Sequence, residues 1–371
     1  MQILSPAAPS LTLRDPNYDK IPAMFRTPVA RLSAITALLT SAMPVSAQRA
    51  VVHEKDIVNA IVEQFDRSDL VGLGELHGSQ ADQDLRFQII HSQEFARKVH
   101  IIVVEGLNAL YQEDLDRYIR GEDVPKEQVQ KVWRDSTGIF VGPVMLTVYE
   151  QFLSTVRSVN RSLPEPLRLR VIAADPPLDW ARVQSAEEFR SILGKRLDFG
   201  AEVIEREVLR KQKKALLIFA NAWFTRNQQR KTPEGFAPRE TIGSVLDKDF
   251  PDRLFVITPV RGGVDADTRN IEKLIGTREL PVLLRLKGSV FGALDANQFV
   301  PDAGLLLGAP PTPFHRYRDG ATMAEVADAC IYSGHAADVL VRPDPSYAND
   351  AAYQAELKRR AGFAPSRPPG R

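Results

Sequence analysis

Val71-Gly72-Leu73-Gly74-Glu75-Leu76-His77-Gly78 decides how the rest of the chain is read. Asp69-Leu70-Val71 ahead of it is a short apolar run of β type, and Ser79-Gln80 after it lead into a helical segment reaching about Lys98. Glycine accepts positive φ at little cost, so Gly72, Gly74 and Gly78 let the chain turn sharply as a strand ends. Glu75 and His77 then project from the carboxyl end of that strand, the edge at which open α/β sheets bind ligands. A carboxylate and an imidazole two residues apart can work as a general-base pair or as metal ligands. The plain alternative is a helix-entry loop in which both are solvated or capping.

Working outward, the same pattern repeats. Val51 to Phe65 has apolar residues at helical spacing. His100 to Val104 is apolar throughout, as expected of a parallel strand covered on both faces, and ends at Glu105-Gly106. Amphipathic segments follow at Asn108 to Arg120, Val129 to Trp133 and Val144 to Asn160. Leu167 to Ala174 is a third strand, closed by Asp175-Pro176-Pro177. Ser185 to Lys214 reads as one long charged helix, and Ala215 to Phe219 as a fourth strand running into Ala220-Asn221-Ala222-Trp223. Residues 226–250 read as a loop with a short helix, and Arg253 to Val260 as a fifth strand. Pro281 to Leu286 and Leu305 to Leu307 are weaker strand candidates, Ala329 to Tyr332 an edge strand, and Ala352 to Ala361 a closing helix. Strands alternating with helices predict an α/β fold: a layered, mostly parallel sheet flanked by helices.

Composition sets the outer bounds. The chain has 371 residues, 44% hydrophobic and 26% charged, with a net charge of +1, so no basic footprint for nucleic acid is present. Cys330 is the only cysteine, which excludes an intrachain disulfide, a cysteine zinc site and a CxxC redox motif. Met24 to Arg31 is a short basic region, Leu32 to Ala42 an apolar run too short to span a bilayer, and Val45-Ser46-Ala47 a small-x-small cleavage pattern. These residues predict a signal peptide starting at Met24, cleavage near Ala47, and an exported protein, periplasmic or extracellular. The expected organisation is an extension plus signal peptide over 1–47, one α/β domain over 48–361 and a Pro/Arg-rich tail over 362–371. No second apolar run approaches the ~20 residues of a transmembrane helix.

Parallel strands place their carboxyl ends on one edge. There the reading gathers Glu75, His77, Glu105 and Asp175 as catalytic candidates, with Asn221 beside them. Three neighbouring carboxylates repel, so a cation is required near them or one must hold a proton. Arg134 is the expected cationic partner. Trp180 and Trp223 are the expected apolar walls of a ligand pocket. No Gly-x-Ser-x-Gly, Walker A or Gly-x-Gly-x-x-Gly pattern occurs, so a serine hydrolase elbow and a nucleotide fold have no support.

Gly74-Glu75-Leu76-His77-Gly78, then a helix, then Val103-Val104-Glu105-Gly106, resembles the superfamily that joins erythromycin esterase-like hydrolases, ChaN-like haem-binding lipoproteins and the Tiki/TraB proteins. The shared marks are Gly-x-x-His after the first strand, here Gly74 to His77, and Glu after the second, here Glu105. The resemblance covers roughly residues 50–340 and implies an α/β fold with its site on the edge just described. Hydrolytic members usually carry a second Gly-x-x-His after a later strand; the corresponding place here is Ala220-Asn221-Ala222-Trp223. The implied function is therefore a metal-independent hydrolase acting on an ester or related small molecule, with His77 as base and a protonated Asp175 or Glu105 as acid. The alternative is a protein that binds haem without turnover.

Overall fold

The computed structural model describes residues 51–138, 142–260, 271, 280–300, 316–334 and 339–363. These residues fall in one compact unit, Val45–Arg371. The expected signal peptide, the Leu305 to Leu307 strand and all but the first two residues of the tail lie outside them.

The strands are β1 (Val51–His53), β2 (Leu70–Glu75), β3 (Ile101–Asn108), β4 (Arg170–Asp175), β5 (Ala215–Ala220), β6 (Gln228–Thr232), β7 (Gly235–Pro238), β8 (Leu254–Val260), β9 (Val282–Arg285), β10 (Arg316–Tyr317) and β11 (Ala329–Tyr332). Eight of them form one sheet in the order β1-β9-β11-β8-β2-β5-β3-β4. Every neighbouring pair from β11 to β4 is parallel, and β9 pairs antiparallel with both β11 and β1. The predicted mostly parallel α/β fold is thus the observed one. A separate antiparallel sheet, β10-β6-β7, occupies part of the stretch read as a loop.

Helices cover both faces. The first group comprises α1 (Glu54–Gln64), α2 (Gln80–His91), α3 (Gln93–Lys98), α4 (Gln112–Arg120), α5 (Lys126–Arg134) and α6 (Pro143–Ser162). After β4 come α7 (Ala186–Gly194), α8 (Arg196–Ile204) and α9 (Ile242–Asp249), and near the end α10 (Met323–Val326), α11 (Pro345–Asn349) and α12 (Ala351–Ala361). Side chains along a strand alternate between faces. Val71, Leu73, Ile102, Val104, Leu216 and Ile218 accordingly pack into one core, and Leu70, Ile101, Val103, Leu217 and Phe219 into the other. Burial on both faces is why β2 and β3 are apolar runs without polar alternation. No helix among the described residues is long and apolar enough to cross a membrane.

Three sequence expectations need correction. Ala329 to Tyr332 is no edge strand: it is fully buried and hydrogen-bonded between β8 and β9. The segment read as one helix from Ser185 breaks at Lys195 into α7 and α8, followed by a π-helical turn over Glu205–Leu209. The run from Val51 opens as a strand before α1 begins. Its three residues are too few to show a period.

Candidate functional site

β2, β3, β4, β5 and β8 end on the same edge because they run parallel. Glu75 closes β2 and is buried. Its Oε1 lies 2.8 Å from His77 Nδ1, and its Oε2 is ion-paired with Arg86 of α2. Arg86 is 3% exposed and also donates to Gln83 Oε1 at 3.2 Å. The turn after His77 is pinned: Gly78 takes φ +80°, and Ser79 caps α2 by accepting from the Asp82 amide. Asp82 Oδ2 in turn accepts from the Leu76 amide at 2.8 Å. The loop that carries the imidazole is therefore held from both ends.

Glu105 lies inside β3, which continues to Asn108 with a register shift after Val104; the expected strand end is thus a bulge. Gly106 there has φ +76°, and a Cβ on it would run into the Tyr149 hydroxyl. Glu105 Oε1 accepts from Arg196 Nη2 at 2.7 Å and from Trp223 Nε1 at 2.6 Å, and its Oε2 from the Ala220 amide at 2.7 Å. Asp175 Oδ1 accepts from Arg196 Nε at 3.1 Å, and its Oδ2 from the Thr137 amide and hydroxyl at 3.0 and 2.5 Å. Every one of these contacts is a donor to a carboxylate oxygen. Among these partners the arginine, indole and amide groups can only donate, and the Thr137 hydroxyl alone can also accept, so the acid role expected of Asp175 or Glu105 has one compatible contact, at Asp175.

Asn221 is buried, and its Oδ1 accepts from Thr258 Oγ1 at 2.7 Å, leaving the amide nitrogen as the donor end. A Cβ on Gly74 would stand 2.7 Å from that Oδ1, so the bare backbone at Gly74 is what lets β2 and Asn221 approach.

The electrostatics follow from this wiring. Burial pushes the Glu75 pKa up, but the charge of Arg86 and the hydrogen bond with His77 outweigh it and bring it down to about 2. Burial lowers the His77 pKa, but the Glu75 hydrogen bond and charge, with a contribution from Glu105, leave it raised above its ordinary value. Tyr149 is pushed well above the usual phenol range, first by burial and then by the charges of Glu75, Glu105 and Asp175. The Arg196 guanidinium is held charged against its burial by Asp175 and Glu105. A cavity of about 10 Å³, the size of one water, lies between Glu75, Arg86, Glu105 and Tyr149.

The four catalytic candidates therefore form two linked pairs: Glu75 with His77, and Glu105 with Asp175 through Arg196. The cations are Arg86 and Arg196, not Arg134. Arg134 is bonded to Asp350 at 2.7 Å and lies over the rings of Tyr347 and Tyr353, so it ties α5 to the C-terminal helices. Trp180 is buried between Phe189 and the Arg360 guanidinium and is core rather than pocket wall. Trp223 does reach the site, as a hydrogen-bond donor to Glu105 beneath Arg196. Arg86, Tyr149 and Arg196 were not foreseen. Their segments read as ordinary helices, amphipathic around Tyr149 and long and charged around Arg196, and only the β2, β3 and β4 acids facing them give them a role.

Residues 61–219 match a family model described as haem-binding uptake, Tiki superfamily, ChaN. That match spans less than half of the chain. Among solved structures, a variant of the erythromycin esterase EreC in its open conformation is similar at 12% identity, over 76% of this chain and 93% of that one, with a TM-score of 0.52. A succinoglycan biosynthesis protein is similar at 11% identity, over 79% and 99%, with a TM-score of 0.50. Both likenesses are of fold. ChaN of Campylobacter jejuni, described with cofacial haem binding, is similar at 12% identity over 58% and 88%, with a TM-score of 0.31. No curated protein matches the chain. The matched segment holds Glu75, His77, Arg86, Glu105, Tyr149, Asp175 and Arg196.

Proposed function

We propose that the protein is exported and hydrolyses an ester or related small molecule, with the Glu75–His77 dyad as its general base. One observation carries this. The imidazole is bonded at Nδ1 by a buried carboxylate that Arg86 anchors from behind, while 37% of the His77 side chain remains open to solvent. A carboxylate on Nδ1 fixes the tautomer that leaves Nε2 free to take a proton, and stabilises the imidazolium that forms.

The proton balance closes on His77 alone. Nε2 takes the proton of a water as its oxygen attacks the substrate carbonyl. The imidazolium then returns that proton to the leaving oxygen as the tetrahedral intermediate collapses. A second histidine is not needed, and Trp223, at the position where hydrolytic relatives carry one, braces Glu105 instead. The Asn221 amide is suited to donate to the developing oxyanion.

Positioned base catalysis contributes about 10²–10⁴-fold, so His77→Ala is expected to lower kcat/KM by that factor on any ester, lactone or thioester turned over in a substrate panel. For the native protein, kcat/KM is expected to rise with pH through an imidazole pKa above the ordinary 6.5, because the base must be neutral and Glu75 holds it charged longer. Equal activity in native protein and His77→Ala would end this reading.

Haem binding without turnover is the second reading. It is favoured by the exposed side chains of Val339 and Leu340, on a segment paired with residues 78–80 directly beyond His77. His77 Nε2 would offer an iron ligand and these side chains an apolar contact for the macrocycle; the porphyrin iron would bring redox or ligand-binding chemistry. A Soret shift on adding haem that is lost in His77→Ala, with no esterase activity, would select this reading.

A further inference from the structure

Tyr149 of α6 is 5% exposed, and among the described residues none hydrogen-bonds its hydroxyl. Buried polar groups are nearly always satisfied, by protein or by an ordered water. The hydroxyl lies against Gly106, where a Cβ would collide with it, and it lines the cavity of about 10 Å³ from α6. Glu75 and Glu105 line the same cavity from β2 and β3. Both carboxylates have acceptor capacity to spare. A carboxylate offers about four acceptor sites. Glu105 accepts from Arg196, Trp223 and the Ala220 amide, and Glu75 is met by His77 and Arg86. Charge decides what can join them: the two acids repel an anion, and Arg86 on the same wall repels a cation. An uncharged molecule that both donates and accepts is what remains, and the volume admits one water.

We propose that this cavity is a binding site for one structural water, which accepts from the Tyr149 hydroxyl and donates to Glu75 and Glu105, and that Tyr149 thereby positions the two carboxylates against each other. The balance of donors and acceptors is complete: the water gives its two O–H bonds to two acids and takes one from the phenol. Burial and the charges of Glu75, Glu105 and Asp175 oppose ionisation of that phenol, so it is a donor at neutral pH. The water joins the Glu75–His77 pair to the Glu105–Arg196–Asp175 group in one network, and like charges that would face each other share a donor instead. Tyr149 is thus a positioning residue that acts through the acids. The inference depends on neither hydrolysis nor haem, because its test reads the water itself.

The test compares native protein with Tyr149→Phe, by high-resolution crystallography and by solvent ¹⁷O relaxation dispersion, which counts long-lived buried waters. In the native crystal a water is expected within about 3.2 Å of the Tyr149 hydroxyl and of one oxygen from each of Glu75 and Glu105. Phenylalanine keeps the ring and removes the donor. The water should then be lost from the density, the dispersion should fall by one long-lived water, and the Glu75 and Glu105 carboxylates should lie farther apart than in the native crystal. Neutron diffraction on the native crystal reads the same assignment without a variant: the hydroxyl deuteron should point at the water, and the two water deuterons at the two acids. No water in the native cavity overturns the proposal, as does a hydroxyl deuteron aimed elsewhere. A water that stays on the same carboxylates in Tyr149→Phe, or an unchanged separation of the two acids, overturns the positioning role.

Discussion

Glu75→Gln is expected to destabilise the fold by about 3–5 kcal/mol at neutral pH, the cost of removing one partner from a buried ion pair. Arg86 and Glu75 are 3% and 4% exposed, so neither charge has water to fall back on. The glutamine keeps shape and one acceptor but no charge, so the guanidinium stays buried with neutral acceptors in place of its counter-ion. Urea denaturation at pH 7 measures this directly. A loss below about 1 kcal/mol, the worth of an exposed pair, would mean that water reaches Arg86.

The same variant has a pH signature. The native Glu75 pKa is lowered from 4.5 to about 2, so its contribution is present above 4.5 and is lost as pH falls through about 2. The stability gap between native protein and Glu75→Gln should therefore narrow over that acid range. His77 runs the other way. Its pKa is raised, so its contribution is complete below 6.5 and is lost as pH rises through the higher folded value. In Glu75→Gln the burial of His77 persists while the carboxylate that favours its charged form is gone, so the imidazole pKa read by NMR should drop below the native value.

The site was legible in the sequence where chemistry coincides with a strand end, and illegible where it depends on what packs across from it. Glu75, His77, Glu105, Asp175 and Asn221 could be found because each follows an apolar run that only a buried parallel strand explains. The requirement for a cation among the three acids was also derivable. Its identity was not. Arg134 sits in a motif-like setting beside Trp133, whereas Arg86 and Arg196 lie on helices whose remaining residues give no hint of function. Helix periodicity tells which residues turn inward; it does not tell what they will meet. Trp180 and Trp223 show the same limit: one is core and the other a donor to Glu105, although both follow strands. In the fold, the three-residue β1 and the two-residue β10 are too short to show a period, and β11 was misplaced for a different reason. Its run Ala329-Cys330-Ile331-Tyr332 is apolar throughout, the mark of an interior strand, and that composition deserved more weight than its late place in the chain.

Arg196→Met is the second large effect expected, again about 3–5 kcal/mol at pH 7, and for a different physical reason. Here the lost residue is the cation, and what remains is two buried carboxylates. Glu105 and Asp175 have 9% and 1% of their side chains exposed, and the forked guanidinium reaches one through Nη2 and the other through Nε. Methionine can replace its packing over Trp223 but not its charge. Without the fork, like charges face one another in a low-dielectric edge. Arg196→Lys tests geometry against charge: a point ammonium keeps the sign but cannot span both acids as the planar fork does, so it should recover part of the stability and not all. A double variant separates the pair term from general damage. Arg196→Met with Asp175→Asn should be more stable than the two single losses added together, since the second change removes the charge that the first left uncompensated. Strict additivity in that cycle would show that Arg196 holds α8 in place by packing and not by bridging Glu105 to Asp175.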